Sequence, residues 1–172
     1  AIITILVGLA SEGFDRLWGA HFIEGFQLSE ADAIYWFGAF YAITFLINIG
    51  LLKVVEIFVK ERFATVLFLF NSLLVVFMMI FAVSNAFLLA TMLYWVIASL
   101  RAVNSPLISI MTNKQLQSQG RATTLSIYGQ LDAFGQVAGG PLVGVIALYT
   151  SIQGGLMASA ILIIPTLYFL WR

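Results

Sequence analysis

The sequence predicts an all-α integral membrane protein with six transmembrane helices. Its composition is 62% hydrophobic and only 9% charged, with mean hydropathy +1.03, whereas soluble domains are roughly one-quarter charged. Crossing a hydrocarbon core of roughly 30 Å takes about twenty apolar residues in a helix. Such runs occur six times, at about 1–24, 33–52, 63–83, 86–111, 122–149 and 152–171. Runs of that length, parted by short polar breaks, exclude barrel strands, which would be roughly ten residues long and strictly alternating.

The first span opens on AIITILVGLA and then places Glu12, Asp15 and Arg16 within SEGFDRLWGAH. At about 100° per residue, Gly8, Glu12, Asp15, Arg16 and Gly19 share one face and His21 lies opposite. An ionised side chain at the centre of a membrane helix costs roughly 2.5–3.5 kcal/mol, so such groups face a bundle interior or a wet cavity. Two readings stay open: a cavity lining, or a charge cluster that locks helices together, since Glu12 and Arg16 are spaced i,i+4 and can satisfy each other. His21, near the outer end, reads as an interfacial residue within reach of Glu24, with a proton relay as the alternative.

The second span, 33–52, follows the acidic break Glu24 to Asp32 and ends at Lys53. In the third, 63–83, Met78-Met79 and the Phe-rich stretch 63–81 read as lipid-facing filler. Along the fourth, Thr91, Tyr94, Arg101, Asn104, Ser105 and Thr112 form a polar stripe, with Pro106 predicting a kink just past Arg101. Tyr94 and Asn104 either bind a substrate or satisfy Arg101.

The fifth span sets Tyr128, Asp132 and Gln136 four residues apart among Gly135, Gly139, Gly140 and Gly144. The small-xxx-small pairs Gly135/Gly139 and Gly140/Gly144 permit close helix approach, and Gly140-Pro141 reads either as tight packing or as a functional bend. Tyr149, near the end of the fifth span, and Tyr168 and Trp171, near the end of the sixth, suit interfacial anchoring.

Lys53, Lys60, Arg62, Lys114, Arg121 and Arg172 all fall on one side of this topology, and the first, third and fifth loops carry no Lys or Arg. The positive-inside rule puts both termini of this segment in the cytoplasm. The chain begins at Ala1 without a signal-peptide pattern, and the expectation is that it is a piece of something longer.

Six helices with cytoplasmic ends, a charged first helix, an Arg within the fourth, and RATTLSIYGQLDAFGQVAGGPLVGVIA (121–147) as the fifth together resemble the C-terminal half of a major facilitator superfamily transporter. The resemblance covers essentially the whole chain. GLLKVVEIFVKER keeps Gly50, Lys60 and Arg62 of that family's loop motif but lacks its Asp-Arg-x-Gly core. Gly139-Gly140-Pro141-Leu142-Val143-Gly144 resembles the Gly-Pro element of antiporters, with Gln136 where a Gly is expected. The resemblance implies a half-domain built of three-helix inverted repeats, a cavity lined by the first and fourth helices, and an N-terminal six-helix half as partner.

The function expected is secondary active transport by alternating access, in the form of proton-coupled efflux of small organic molecules. The aromatic residues Phe14, Trp18, Tyr94 and Tyr128 lean that way. Alternatives are proton-coupled uptake of a polar solute, or a non-transporting scaffold or channel subunit. One His, no Cys and no nucleophile motif argue against an enzyme. Zero net charge argues against nucleic acid, and neither a cofactor nor a metal is expected. The partners expected are the lipid bilayer, a small-molecule substrate and protons.

Glu12, Asp15, Arg16, Tyr94, Arg101, Asn104, Asp132 and Gln136 are the expected pathway residues. Counted at about 1.5 Å per residue, Glu12 lies roughly 18 Å and Arg101 roughly 22 Å from the outer boundary, so these two are expected to pair. Asp132 is then the acid without a base. A carboxyl so placed favours its neutral form until a cavity wets it, as a proton carrier requires.

Overall fold

The computed structural model describes residues 1–59, 62–116 and 120–171; Lys60 and Arg172, two of the charges used for orientation, lie outside the described residues. Six helices follow one another: α1 (Ile2–Phe26), α2 (Glu30–Phe58), α3 (Phe63–Val83), α4 (Phe87–Gln115), α5 (Arg121–Tyr149) and α6 (Ile152–Trp171). Among the described residues there is no strand.

Local chemistry sets the helix ends. Gln27 closes α1 in the left-handed region, at φ 53°. Ser29 then caps α2, its hydroxyl oxygen accepting from the Asp32 amide at 3.1 Å. Gly120, at φ 89°, turns the chain into α5, a conformation that favours a residue with no Cβ. The helices outrun several of the apolar stretches that announce them. Glu24 belongs to α1, Asp32, Lys53 and Glu56 belong to α2, and Lys114 to α4, because a helix continues past the point where hydrophobicity stops.

Five helices, α2 to α6, are long and apolar enough to cross a membrane. α1 has the length, at 25 residues, but carries Glu12, Asp15, Arg16 and Glu24. Large apolar side chains such as Tyr35, Phe45, Val137 and Leu148 are widely exposed, as expected where the surrounding solvent is lipid.

The packing order is specific. α1 lies against α5 and α6, α4 lies against α2 and α3, and α3 lies against α6. Exchanging the triplets α1–α2–α3 and α4–α5–α6 maps these contacts onto one another, but α5 also lies against α6, a contact that α2 and α3 do not match among the described residues. One core cluster gathers Phe14, Trp18, Phe22, Phe40, Phe81 and Tyr94; a second gathers Val55, Phe63, Leu67, Leu107 and Leu170.

Two expectations are corrected here. The stretch 63–81 is not lipid-facing filler: Phe63, Leu67, Leu74, Met78 and Phe81 are buried, while Leu69, Val76 and Ile80 face outward. A helix apolar on every side has no periodic signal to say which face turns in. His21 is not interfacial: it is buried, its ring 4.8 Å from that of Phe81. Lying opposite the charged face of α1 directs it into the aromatic core.

Candidate functional site

The charged face of α1 turns toward α4 and α5. The guanidinium of Arg101 donates through Nη1 to Asp15 Oδ1 at 2.8 Å, through Nη2 to Asp15 Oδ2 at 2.6 Å, and through Nη2 to the Ser11 carbonyl at 3.2 Å. It also sits over the Phe14 ring, 5.0 Å from the centroid, so Phe14 supports the cation from within the core. Glu12 instead accepts from Arg16 Nε at 2.8 Å within α1. The expected Glu12–Arg101 pair is therefore replaced by Asp15–Arg101. Depth alone does not separate two acids one turn apart; the i,i+4 partner of Glu12 and the direction of Asp15 toward α4 do.

Above and around this ion pair lies a cavity of about 360 Å³ between α1, α2, α4 and α5. Asp15 and Arg101 supply its charge pair. Trp18, Tyr41 and Tyr94 form an aromatic wall, with Trp18 4.5 Å from Tyr94 and 5.8 Å from Tyr41 between ring centroids. A second chamber of about 250 Å³ between α1, α4 and α5 is rich in hydroxyls: Thr4, Ser105, Ser109, Thr112 and Tyr128. Val7, Ser105 and Asp132 line both chambers, so Asp132 stands where they meet. Its Oδ2 accepts from Gln136 Nε2 at 2.8 Å, and among the described residues no Lys or Arg pairs with it.

Asp132 is brought there by a close helix crossing. A Cβ on Gly8 would meet the Asp132 backbone and Gln136 N; one on Gly135 would meet Ile5 and Leu9 N, and one on Gly139 would lie 2.7 Å from Leu9 Cα. Gly135/Gly139 is thus the pair that admits α1. Gly140 is looser, its Cβ direction 3.3 Å from Glu12 Cγ, and Gly144 faces open space. α5 runs unbroken through Gly140 and Pro141, and α4 through Pro106.

Asp15, Arg101, Tyr94, Asp132 and Gln136 thus meet in one cavity, while Glu12 and Arg16 satisfy each other beside it and Asn104 lies elsewhere. Asn104 is buried and donates through Nδ2 to Asn71 Oδ1 at 2.9 Å, joining α4 to α3. Sequence reasoning missed Asn71 and the α2 contributors Tyr41 and Thr44. A lone amide inside an apolar span was the available signal for Asn71. Among the described residues no group of three or more His, Asp or Glu side chains converges as a metal site.

Comparison with protein-family models, with curated proteins and with solved structures finds no match.

Proposed function

We propose that this chain is a six-helix unit of a secondary transporter that works by alternating access. All six helices then cross the cell membrane, with both termini of the segment in the cytoplasm. The unit exports small organic molecules, preferentially cationic ones, in exchange for protons. The observation that supports this most is the position of Asp132, an acid without a cationic partner among the described residues, where two polar chambers meet in the middle of apolar helices. Asp15 and Arg101 cancel, so ionised Asp132 leaves the cavity with one negative charge. A cation stacked near Trp18, Tyr41 and Tyr94 is favoured by that charge and by the ring faces; protonation of Asp132 removes the charge and favours release.

The partial exchange symmetry of the two helix triplets also supports the reading. Three helices per triplet makes the second antiparallel to the first in the membrane, the arrangement of inverted-repeat carriers in which one bundle rocks against another. The cavity's exposed lining residues Asp15, Tyr41 and Gln136 suit a second six-helix unit that completes it.

The hydroxyl-rich second chamber is the one feature that favours the other reading, proton-coupled uptake of a polar solute. Transport in proteoliposomes tests both. An imposed proton gradient should drive saturable movement of a lipophilic cation such as tetraphenylphosphonium, with counterflow. A steady ohmic current without counterflow would make the protein a pore, and saturable movement of a sugar or amino acid in place of the cation would favour uptake.

A further inference from the structure

We propose that one ordered water molecule is held between α1, α3 and α4, and that through it Asn71 is a positioning residue for Arg101. Beneath the Asp15–Arg101 pair is a small cavity lined by Ser11, Asn71, Arg101 and Asn104 and closed by Leu74, Met78 and Ile163. It leaves about 10 Å³ for the centre of a water molecule, close to what one water needs. Three of its lining residues present buried polar atoms with no partner among the described residues: Asn71 Nδ2, Asn104 Oδ1 and Arg101 Nε. A water here accepts from Nδ2 and Nε and donates to Oδ1. That gives it three hydrogen bonds, the usual number for a buried water.

The orientation of the amides does not remove the need for it. Asn71 and Asn104 bond each other once, and turning both amides together only exchanges their roles, leaving one amide nitrogen and one amide oxygen without a partner. Asn71 and Asn104 are fully or almost fully buried, at 0% and 1% exposure, so bulk solvent does not serve them. Leaving a buried donor or acceptor unmet costs about 1–3 kcal/mol per group, which an ordered water recovers.

The consequence falls on Arg101. Its two Nη groups reach Asp15 and Ser11 on α1; Nε lies on another edge of the same planar group. The water ties that edge to Asn71 on α3. A guanidinium held on both edges keeps its Nη pair aimed at Asp15. α3 touches neither chamber, yet through this water it sets the orientation of the cavity's cation. None of this depends on the transport reading.

The test is [15N]arginine NMR of the native protein in nanodiscs, with the Arg101 Nε–H resonance identified by its loss in Arg101→Lys. The expected result is a magnetisation-transfer contact between that Nε–H and a long-lived water. The contact should vanish, and the resonance shift, in Asn71→Leu, whose methyls fill the cavity; Asn71→Ser, small and polar, should keep both. Absence of the water contact in the wild type overturns the proposal outright. An unchanged contact in Asn71→Leu overturns the positioning role. If Asn71→Leu does not fold, Asn71→Leu with Asn104→Leu, which removes both amides, carries the same expected loss.

Discussion

Arg101 of α4 grips Asp15 of α1 with both Nη groups, at 2.8 and 2.6 Å, although the backbones of these two helices make little contact. The ion pair is therefore the main polar tie between the first helix of each triplet. Arg101 is mostly shielded and Asp15 about half exposed, with side-chain exposures of 17% and 52%. Removing one partner strands the other charge, a loss of about 3–5 kcal/mol for a fully buried pair; the exposure of Asp15 lowers this to about 1–2 kcal/mol. Asp15→Asn and Arg101→Gln should each lower the melting temperature in detergent. The swap Asp15→Arg with Arg101→Asp should recover part of that loss, and failure of the swap to do better than either charge-reversal single would count against the tie.

The glycines of α5 are expected to differ sharply. Gly139→Leu drives a side chain into the Leu9 backbone of α1, where relief requires the helices to part; overpacking of this kind costs about 1–3 kcal/mol or more. Gly144→Leu points into open space and adds an apolar group on a lipid-facing helix. Melting curves of the two variants separate them: equal losses would mean that the α1–α5 crossing is not the close contact described.

How much of this was legible in the sequence varies by element. Helix type and number follow from six apolar runs, and the polar stripe of α4 and the acid on α5 are visible as residues out of place in such runs. The partner of Arg101 was not legible, because Glu12 and Asp15 differ by less than a turn in depth and only the approach of α4 chooses between them. The inward face of α3 was hidden for a different reason: with apolar residues all round, only contact with α4 and α6 decides that Leu67, Leu74 and Met78 are core. His21 misled because its place near the outer end of α1 suggested the interface, whereas the rings of Phe22, Phe26 and Phe81 surround it.

Orientation can be read with single cysteines, since the chain has none of its own. Cysteines at Ala31 and Gln153 should react with an impermeant maleimide added outside intact cells, and one at Ala122 only after permeabilisation. All three residues are exposed at or near helix ends. The reverse pattern would invert the topology drawn from Lys and Arg placement.

The aromatic wall sets an affinity expectation. Trp18 packs against Tyr94 and Tyr41 beside the cavity, and a cation over such a face gains about 0.5–2 kcal/mol. Trp18→Ala should weaken binding of tetraphenylphosphonium by about 2- to 30-fold, while Trp171→Ala, far from the cavity at the end of α6, should leave it unchanged. Equilibrium titration of the purified protein checks both; equal effects would detach the wall from binding.

In the proposed cycle Asp132 exchanges a proton for the substrate at the junction of the two chambers. This exchange is tested most directly by Asp132→Asn in proteoliposomes of the native assembly, with tetraphenylphosphonium transport measured under an imposed pH gradient and, separately, as exchange at equal pH. The amide keeps the size of the side chain and its hydrogen bond with Gln136 but holds no exchangeable charge. Gradient-driven accumulation should be lost while substrate exchange survives; accumulation retained at the wild-type level would rule Asp132 out as the proton carrier.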